Sequence, residues 1–406
     1  MDRVRTLFVV SADLPSGVAA RRTGPPTGPR KDYAAIADAL RADVLDRTAA
    51  RRGAFQGLLA RTLGVAVAQA WLAFRRRGDY DAILTDGEHI GIWLALLLKL
   101  VEGGRSRTAH VTIGHRISAP KKRFFFTRLR VWTHVQRVLL HATLQRDLAR
   151  RALGVPARRL ALVPYQVDTE FWDAVRVPEI KEDEQLVASA GLELRDYPTL
   201  FRAAAGMAAQ VVVAAASHWS KRRNTALAAA RPWNVTVTSL DYQELRALYA
   251  RAAVVVVPVV ETDFQAGVTT VLEAMAMGKP VVVTHTAGQT DVVEDRRAAT
   301  RGGVSRGRPE SMLRTLARDA GLPWEQTGMY VPVGDALALR RALDYLLGHP
   351  EERRRMGQAG RRLVAGLLRV DQFAERVAEQ VRAAVAEVQG EVERAAPDTV
   401  PAPMAA

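Results

Sequence analysis

Residues 252–294, AAVVVVPVVETDFQAGVTTVLEAMAMGKPVVVTHTAGQTDVVE, constrain the fold more than any other stretch. A fully apolar strand ends at Pro258. A polar loop with Gly267 follows, then a short helix expected to carry Glu273 in its first turn. Gly278 and Pro280 stop that helix, and a second apolar strand starts at Val281. Strands this apolar are buried on both faces, which is the habit of parallel sheets covered by helices. Such a unit binds ligands where the carboxyl ends of the strands meet a helix N-terminus. The free N–H groups and the dipole there favour a phosphate, and a carboxylate one turn inside can accept from sugar hydroxyls. The segment reads as a nucleotide-sugar site.

The rest of the chain repeats the alternation. In the first half, strands are expected at Thr6–Val10, Ala82–Thr85, Ala109–Ile113, Arg137–Leu140 and Leu160–Val163. Helices are expected near 32–47, 54–76, 90–102, 121–133 and 143–153. In the second half, strands are expected at Leu186–Ala190, Gln210–Ala214, Val235–Thr238, Val254–Val257 and Val281–Thr284. Helices follow near 197–208, 221–230, 242–252, 269–277, 335–348 and 351–367. Two α/β sheets in series follow from this order. The polar stretch VRVPEIKEDEQ marks the joint. The expected domains are 1–172 and 173–370, then a helix over 371–392 and a disordered tail over 393–406.

Charge divides the halves. Residues 1–176 hold 30 Lys and Arg against 15 Asp and Glu, and residues 177–406 hold 28 of each, so the net charge of +15 lies wholly in the first part. A polyanionic partner for that half, such as an anionic membrane surface, is one reading, and a solvated Arg-rich surface is the other. Lys121–Trp132 interleaves cations with aromatics and suits either an interfacial helix or a helix whose rings pack inward. The chain has no cysteine. With no run of roughly 18 apolar residues and no secretory signal pattern at the start, a cytoplasmic protein, peripheral on the inner face of the membrane, is expected. Nucleic acid is not expected as a partner. Gly278-Lys279 is followed by Pro280 and is no P-loop.

Pro258, Gln265, Gly267, Glu273-Ala-Met-Ala, Gly278 and Pro280-Val-Val form a pattern that resembles the donor-site signature of family 4 glycosyltransferases (glycosyl transferases group 1). Gly328–Asp335 and His349–Arg361 are similar to later parts of the same family. The match is good over roughly 160–380 and weak before it. The resemblance implies the GT-B fold: α/β, two Rossmann-like domains with a cleft between them, the donor in the second, and the last helix crossing back to the first. It implies a retaining, metal-independent transfer from a nucleotide-sugar donor to an acceptor, with no cofactor. Glu273 would contact the ribose. The family usually has a glutamate where this chain has Gln265, which would contact the sugar through its amide.

Arg195, after the first strand of the second half, aligns with the family lysine that holds the diphosphate, and a guanidinium can do this bidentately. Leu192 stands at the other cationic position, which Lys221 could replace. Gly267, Val268 and Thr269 offer close backbone approach. Gly17 corresponds weakly to the family's first glycine loop. His115 would line the reacting centre. Asp86, Glu88 and His89 either position acceptor hydroxyls or cap a helix. For Glu273 the competing role is structural: Thr270-Val-Leu-Glu273 has the form of a capping box. The alternatives in function are a nucleotide-sugar epimerase or hydrolase of the same fold, and a catalytically inactive donor-binding protein.

Overall fold

The computed structural model describes residues 4–14, 27–103, 107–215, 226, 230–295 and 312–393. Twelve described strands form two six-stranded sheets, and every pairing within them is parallel. The first sheet holds β1 (Thr6–Val9), β2 (Asp43–Leu45), β3 (Ala82–Thr85), β4 (Ala109–Gly114), β5 (Arg137–Leu140) and β6 (Leu160–Leu162), in the order β2-β1-β3-β4-β5-β6. The second holds β7 (Asp183–Ala190), β8 (Gln210–Ala214), β9 (Val235–Thr238), β10 (Ala252–Val257), β11 (Val281–Thr284) and β12 (Gly328–Val331), in the order β12-β11-β10-β7-β8-β9. All six residues of β10 and all four of β11 are buried, as their unbroken apolar sequence requires.

The helices of the first half are α1 (Asp32–Leu40), α2 (Arg47–Arg51), α3 (Ala54–Thr62), α4 (Val65–Arg75), α5 (Glu88–Glu102), α6 (Pro120–Thr127) and α7 (Thr143–Arg151). Those described in the second are α8 (Tyr197–Ala204), α9 (Tyr242–Arg251), α10 (Val268–Ala276), α11 (Met312–Asp319), α12 (Ala336–Gly348), α13 (Pro350–Leu367) and α14 (Val370–Glu393). Three expectations change. The helix expected over 32–47 ends at Leu40, because Arg41 turns left-handed at φ 47° and the three-residue edge strand β2 follows. The helix expected over 54–76 is two helices, divided at Gly64 with φ 99°. Strand β12 and helix α11 were not expected at all. The helix expected at 221–230 lies almost wholly outside the described residues.

Helix α14 returns to the first sheet. Phe373, Val377, Val381 and Val385 are buried in one apolar cluster with Phe8, Val10, Leu84, Val111 and Leu139. Each such side chain contributes about 1.5–3 kcal/mol by leaving water, so the helix is held by several times the strength of its ion pairs. Arg137 joins Glu387 at 2.5 Å, and the Val167 N–H donates to Leu368 O at 2.8 Å.

The strand orders locate the clefts. In the first sheet, connections reverse direction between β1 and β3; in the second, between β7 and β10. At such switch points the loops leave in opposite directions and open a crevice at the carboxyl ends. The segments leaving these four strands are Ser11–Leu14, Asp86–Glu88, Gly191–Asp196 and Pro258–Gly267.

Candidate active site

Two cavities lie at these switch points. One, of about 390 Å³, is bounded by Ser11, Lys31, Asp86, His115, His141 and Tyr165, and reaches Thr269 and Glu273. The other, of about 300 Å³, is bounded by Gly191, Arg195, Asp241, Gly267, Thr270 and, again, Thr269 and Glu273. Tyr242 also lines both. The N-terminal turns of α10 therefore form the seam between a first-domain and a second-domain space.

Gly267 starts α10 at φ 80°, in the left-handed region. A β-carbon there would stand 2.7 Å from Val257 Cγ1 and 2.8 Å from an Arg195 guanidinium nitrogen. Only glycine lets the strand, the loop and Arg195 meet at this point. The Val268 N–H donates to Gln265 O at 3.4 Å, and its side chain is buried in the core, so Val268 shapes the turn from within. Thr269 is exposed into both cavities.

Glu273 is the sixth residue of α10, in its second turn rather than its first. The capping box does not form: Gly267 is the N-cap and no side chain caps it. Thr270 Oγ1 instead accepts from Arg195 at 3.1 Å, and Glu273 Oε2 accepts from the Tyr249 hydroxyl at 3.4 Å. Burial pushes the Glu273 carboxyl up to about 8, with the Tyr249 hydrogen bond, Lys31 and Arg195 opposing.

Arg195 is 4% exposed. Its Nε donates to Ala190 O at 2.9 Å and one terminal nitrogen to Glu193 O at 2.9 Å. Its planar fork thus ties the loop after β7 to the helix after β10, while one edge lines the second-domain cavity. Burial lowers its pKa.

On the first-domain side, the Asp86 carboxylate accepts from the Ser11 N–H at 2.6 Å and the Ser11 hydroxyl at 2.8 Å. Its other oxygen, Oδ1, is buried with no hydrogen-bond partner among the described residues. Burial raises this carboxyl to about 6 against the Ser11 bonds. Asp86 is no helix cap, since α5 starts at Glu88 with Gly87 before it. Glu88 accepts from the N–H groups of His115 (3.0 Å) and Arg116 (3.1 Å) and from the Lys122 ammonium. Burial would raise it, but Lys122 and the other donors hold it at about 2. Glu88 is thereby the fixed anion that sets the His115 backbone. His115 Nε2 lies 2.8 Å from Asp86 O, and Nδ1 lies 3.4 Å from the Tyr165 hydroxyl. A carbonyl only accepts, so Nε2 carries the proton and Nδ1 accepts from Tyr165 in the neutral ring. His89 is exposed and does not line the cavity.

Gln265 is placed elsewhere. It is 6% exposed, lines a hollow of about 10 Å³ with His141, Tyr165 and Leu272, and borders neither larger cavity. Both atoms of its amide are buried without a partner among the described residues. Gly17 and Lys221 lie outside the described residues. Lys31 and Tyr242 were not anticipated. The Lys31 ammonium donates to the Tyr242 hydroxyl at 3.0 Å and lies over its ring at 4.6 Å, joining the two domains across the cleft. Nothing local in the sequence marks either residue. Among the described residues no group of three or more His, Asp or Glu side chains is placed to hold a metal.

Residues 193–349, which contain Arg195, Gly267 and Glu273, match the family described as Glycosyl transferases group 1. The second domain is similar to group 1 glycosyltransferases over that stretch, and the chain has the GT-B fold. Solved GT-B structures extend the likeness to nearly the whole chain. Sucrose-phosphate synthase from Thermosynechococcus elongatus superposes with a TM-score of 0.65 at 18% identity, over 94% of this chain and 100% of that one. HepE from Anabaena, solved with UDP and glucose, gives 0.60 at 14% identity over 93% and 99%. Trehalose 6-phosphate synthase from Burkholderia multivorans gives 0.59 at 12% identity over 98% and 100%. No curated protein sequence matches the chain.

Proposed function

We propose that this GT-B protein is a retaining glycosyltransferase that moves a sugar from a nucleotide-sugar donor to an acceptor held by its first domain. One observation carries the reading: Thr269 and Glu273 line both cavities, so a donor lying over the α10 N-terminus in the second domain presents its sugar to the first. Solved structures of HepE, of the same fold, contain UDP or UDP-glucose, which supports a uridine diphosphate sugar as the first donor to try.

In this reading the α10 N-terminus, Arg195 and Lys31 face the diphosphate, Glu273 accepts from the ribose hydroxyls, and Asp86 Oδ1 accepts from a sugar or acceptor hydroxyl. His115 borders the reacting centre. The bond from the anomeric carbon to the diphosphate oxygen breaks, the acceptor oxygen bonds to that carbon on the same face, and its proton passes to the departing diphosphate. Fixed cations and helix dipoles aimed at the leaving group lower the barrier by stabilising the charge it gains. No metal ion has a role in this scheme. The excess of positive charge in residues 1–176 supports an anionic membrane surface as a partner of the first domain.

A second reading, donor binding without transfer, is favoured by Gln265: it lacks a carboxylate and borders neither cavity. Calorimetric titration of the full chain with UDP, GDP, ADP and their sugars tests the proposal, followed by turnover assays with and without acceptor mixtures. Binding plus acceptor-dependent release of diphosphate supports transfer. Release without acceptor indicates a hydrolase or epimerase, and binding with no release on any acceptor supports the second reading. No binding by any nucleotide overturns the donor site itself.

A further inference from the structure

We infer that the face carrying α3 is a docking surface for an anionic lipid bilayer, which gives the membrane reading above a definite site. Residues 47–77 contain seven arginines and no Asp or Glu, so +7 of the net +15 comes from 31 residues. Within them α3 buries none of its residues. Phe55 is 54% exposed and Leu58 58%, and they stand one turn apart on one side of the helix. Leu63, just past its end, is 64% exposed. A helix needed only for the core would turn these side chains inward.

The surroundings are cationic. Arg51, Arg52, Arg61, Arg75 and Arg76 are all exposed. Arg51 meets Asp13 at 3.4 Å, while Arg52, Arg61 and Arg75 have no carboxylate partner among the described residues. Phe55 leans on Trp71 with ring centres 5.8 Å apart, and the Arg75 guanidinium lies 5.9 Å from the Trp71 ring. Gly53 (φ 90°) and Gly64 (φ 99°) bracket the helix in conformations that side chains with a β-carbon rarely adopt, which lets α3 lie across α2 and α4 as a separate ridge.

An aromatic and two leucines set among exposed arginines, most of them without a carboxylate partner, match a bilayer interface, where acyl chains take the apolar groups and anionic headgroups the arginines. A second copy fits less well, because a symmetric contact would set arginines against arginines. Nucleic acid would use the cations and leave Phe55 and Leu58 in water. α6, the sequence's first candidate for this role, is divided: Phe124 is 57% exposed, but its other two rings and one of its cations are engaged in the fold. Phe126 is buried, Phe125 packs on Trp93 with centroids 5.3 Å apart, and Lys122 is taken by Glu88. α2, which packs on α3, reaches the cleft: the Arg47 N–H, at its start, donates to Ala12 O at 3.2 Å, and Ala12 lines the 390 Å³ cavity. A lipid-borne acceptor could reach that cavity from the surface.

The test is co-sedimentation of the full chain with vesicles of phosphatidylcholine alone or with about one third phosphatidylglycerol. Binding to the anionic vesicles that weakens with salt is expected, with little binding to the neutral ones. The F55S/L58S variant should weaken partitioning at least about tenfold, and R52Q/R61Q/R75Q about fivefold per charge removed. Nucleotide titration should be unchanged, since none of the five side chains lines either cavity, and the loss of the Phe55 and Arg75 contacts with Trp71 should lower the melting temperature only slightly. Wild-type protein that ignores anionic vesicles overturns both the membrane reading and this site. Vesicle binding that neither variant weakens overturns the α3 site alone. Self-association lost in F55S/L58S without vesicle binding points to a second copy, and duplex DNA binding tighter than vesicle binding points to nucleic acid; either outcome overturns the proposal. Loss of nucleotide binding with vesicle binding intact bears only on the donor site.

Discussion

Arg195 donates to Thr270 Oγ1 at 3.1 Å, and this bond takes the hydroxyl that a capping box with Glu273 would have used. The same guanidinium holds Ala190 O and Glu193 O, so one side chain joins the two loops of the second switch point. Replacing it strands buried acceptors. Arg195→Ala should cost about 3 kcal/mol, and Arg195→Lys most of that, because an ammonium cannot reproduce a planar fork. Urea unfolding measures both; a lysine variant of wild-type stability would show that the fork is not what holds the loops.

Burial raises the Glu273 carboxyl to about 8 from an ordinary 4.5. The folded protein therefore binds this proton more tightly than the unfolded chain. The resulting stability is complete below about 4.5 and is lost as pH rises through about 8. Glu273→Gln should flatten the fall in melting temperature across that window and leave the acid side unchanged. Melting curves of both proteins over the window decide it, and parallel curves would assign the slope to other groups.

Asp291, from the second domain, accepts from Thr143 N at 2.7 Å and Thr143 Oγ1 at 2.9 Å at the start of α7 in the first. A carboxylate at a helix N-terminus is favoured by free N–H groups and the dipole. Here it also ties the domains, beside the Arg116–Asp263 pair at 3.2 Å. A double-mutant cycle of Thr143→Ala and Asp291→Asn should show about 1–2 kcal/mol of coupling. Small-angle scattering should show a larger radius for the Asp291 variant. Strictly additive stabilities and an unchanged radius would remove the clamp.

Helix α13 crosses the end of α10 at Gly357, where a β-carbon would stand 1.9 Å from Gly278 O. Backbone cannot yield as a side chain can. Gly357→Ala should destabilise by about 3 kcal/mol or more. Gly360→Ala meets the flexible Met275 Cγ at 3.1 Å and should cost clearly less. Equal losses in chemical denaturation would refute the assignment of the close approach to Gly357.

Most of the strands were legible because β10 and β11 are unbroken apolar runs, a local property that burial on both faces demands. The edge strand β2 was not. Its three residues carry no periodicity, and the left-handed turn at Arg41 that frees them from α1 leaves no signature in an arginine. β12, GMYV, gains its identity only from pairing with β11.

The site divides along the same line. Residue types and spacing by themselves determined the strand–loop–helix unit around Gly267 and Glu273, because a glycine-initiated helix after a buried strand is written in consecutive residues. Tertiary structure alone decided what those residues do. It gave Thr270 to Arg195, set Glu273 beside Tyr249, turned Gln265 into a hollow next to His141, and brought Lys31 to Tyr242 from 211 positions away. Hydrogen bonds and desolvation depend on distance in space, and the chain order carries no record of which distant side chain the folded sheets will bring near.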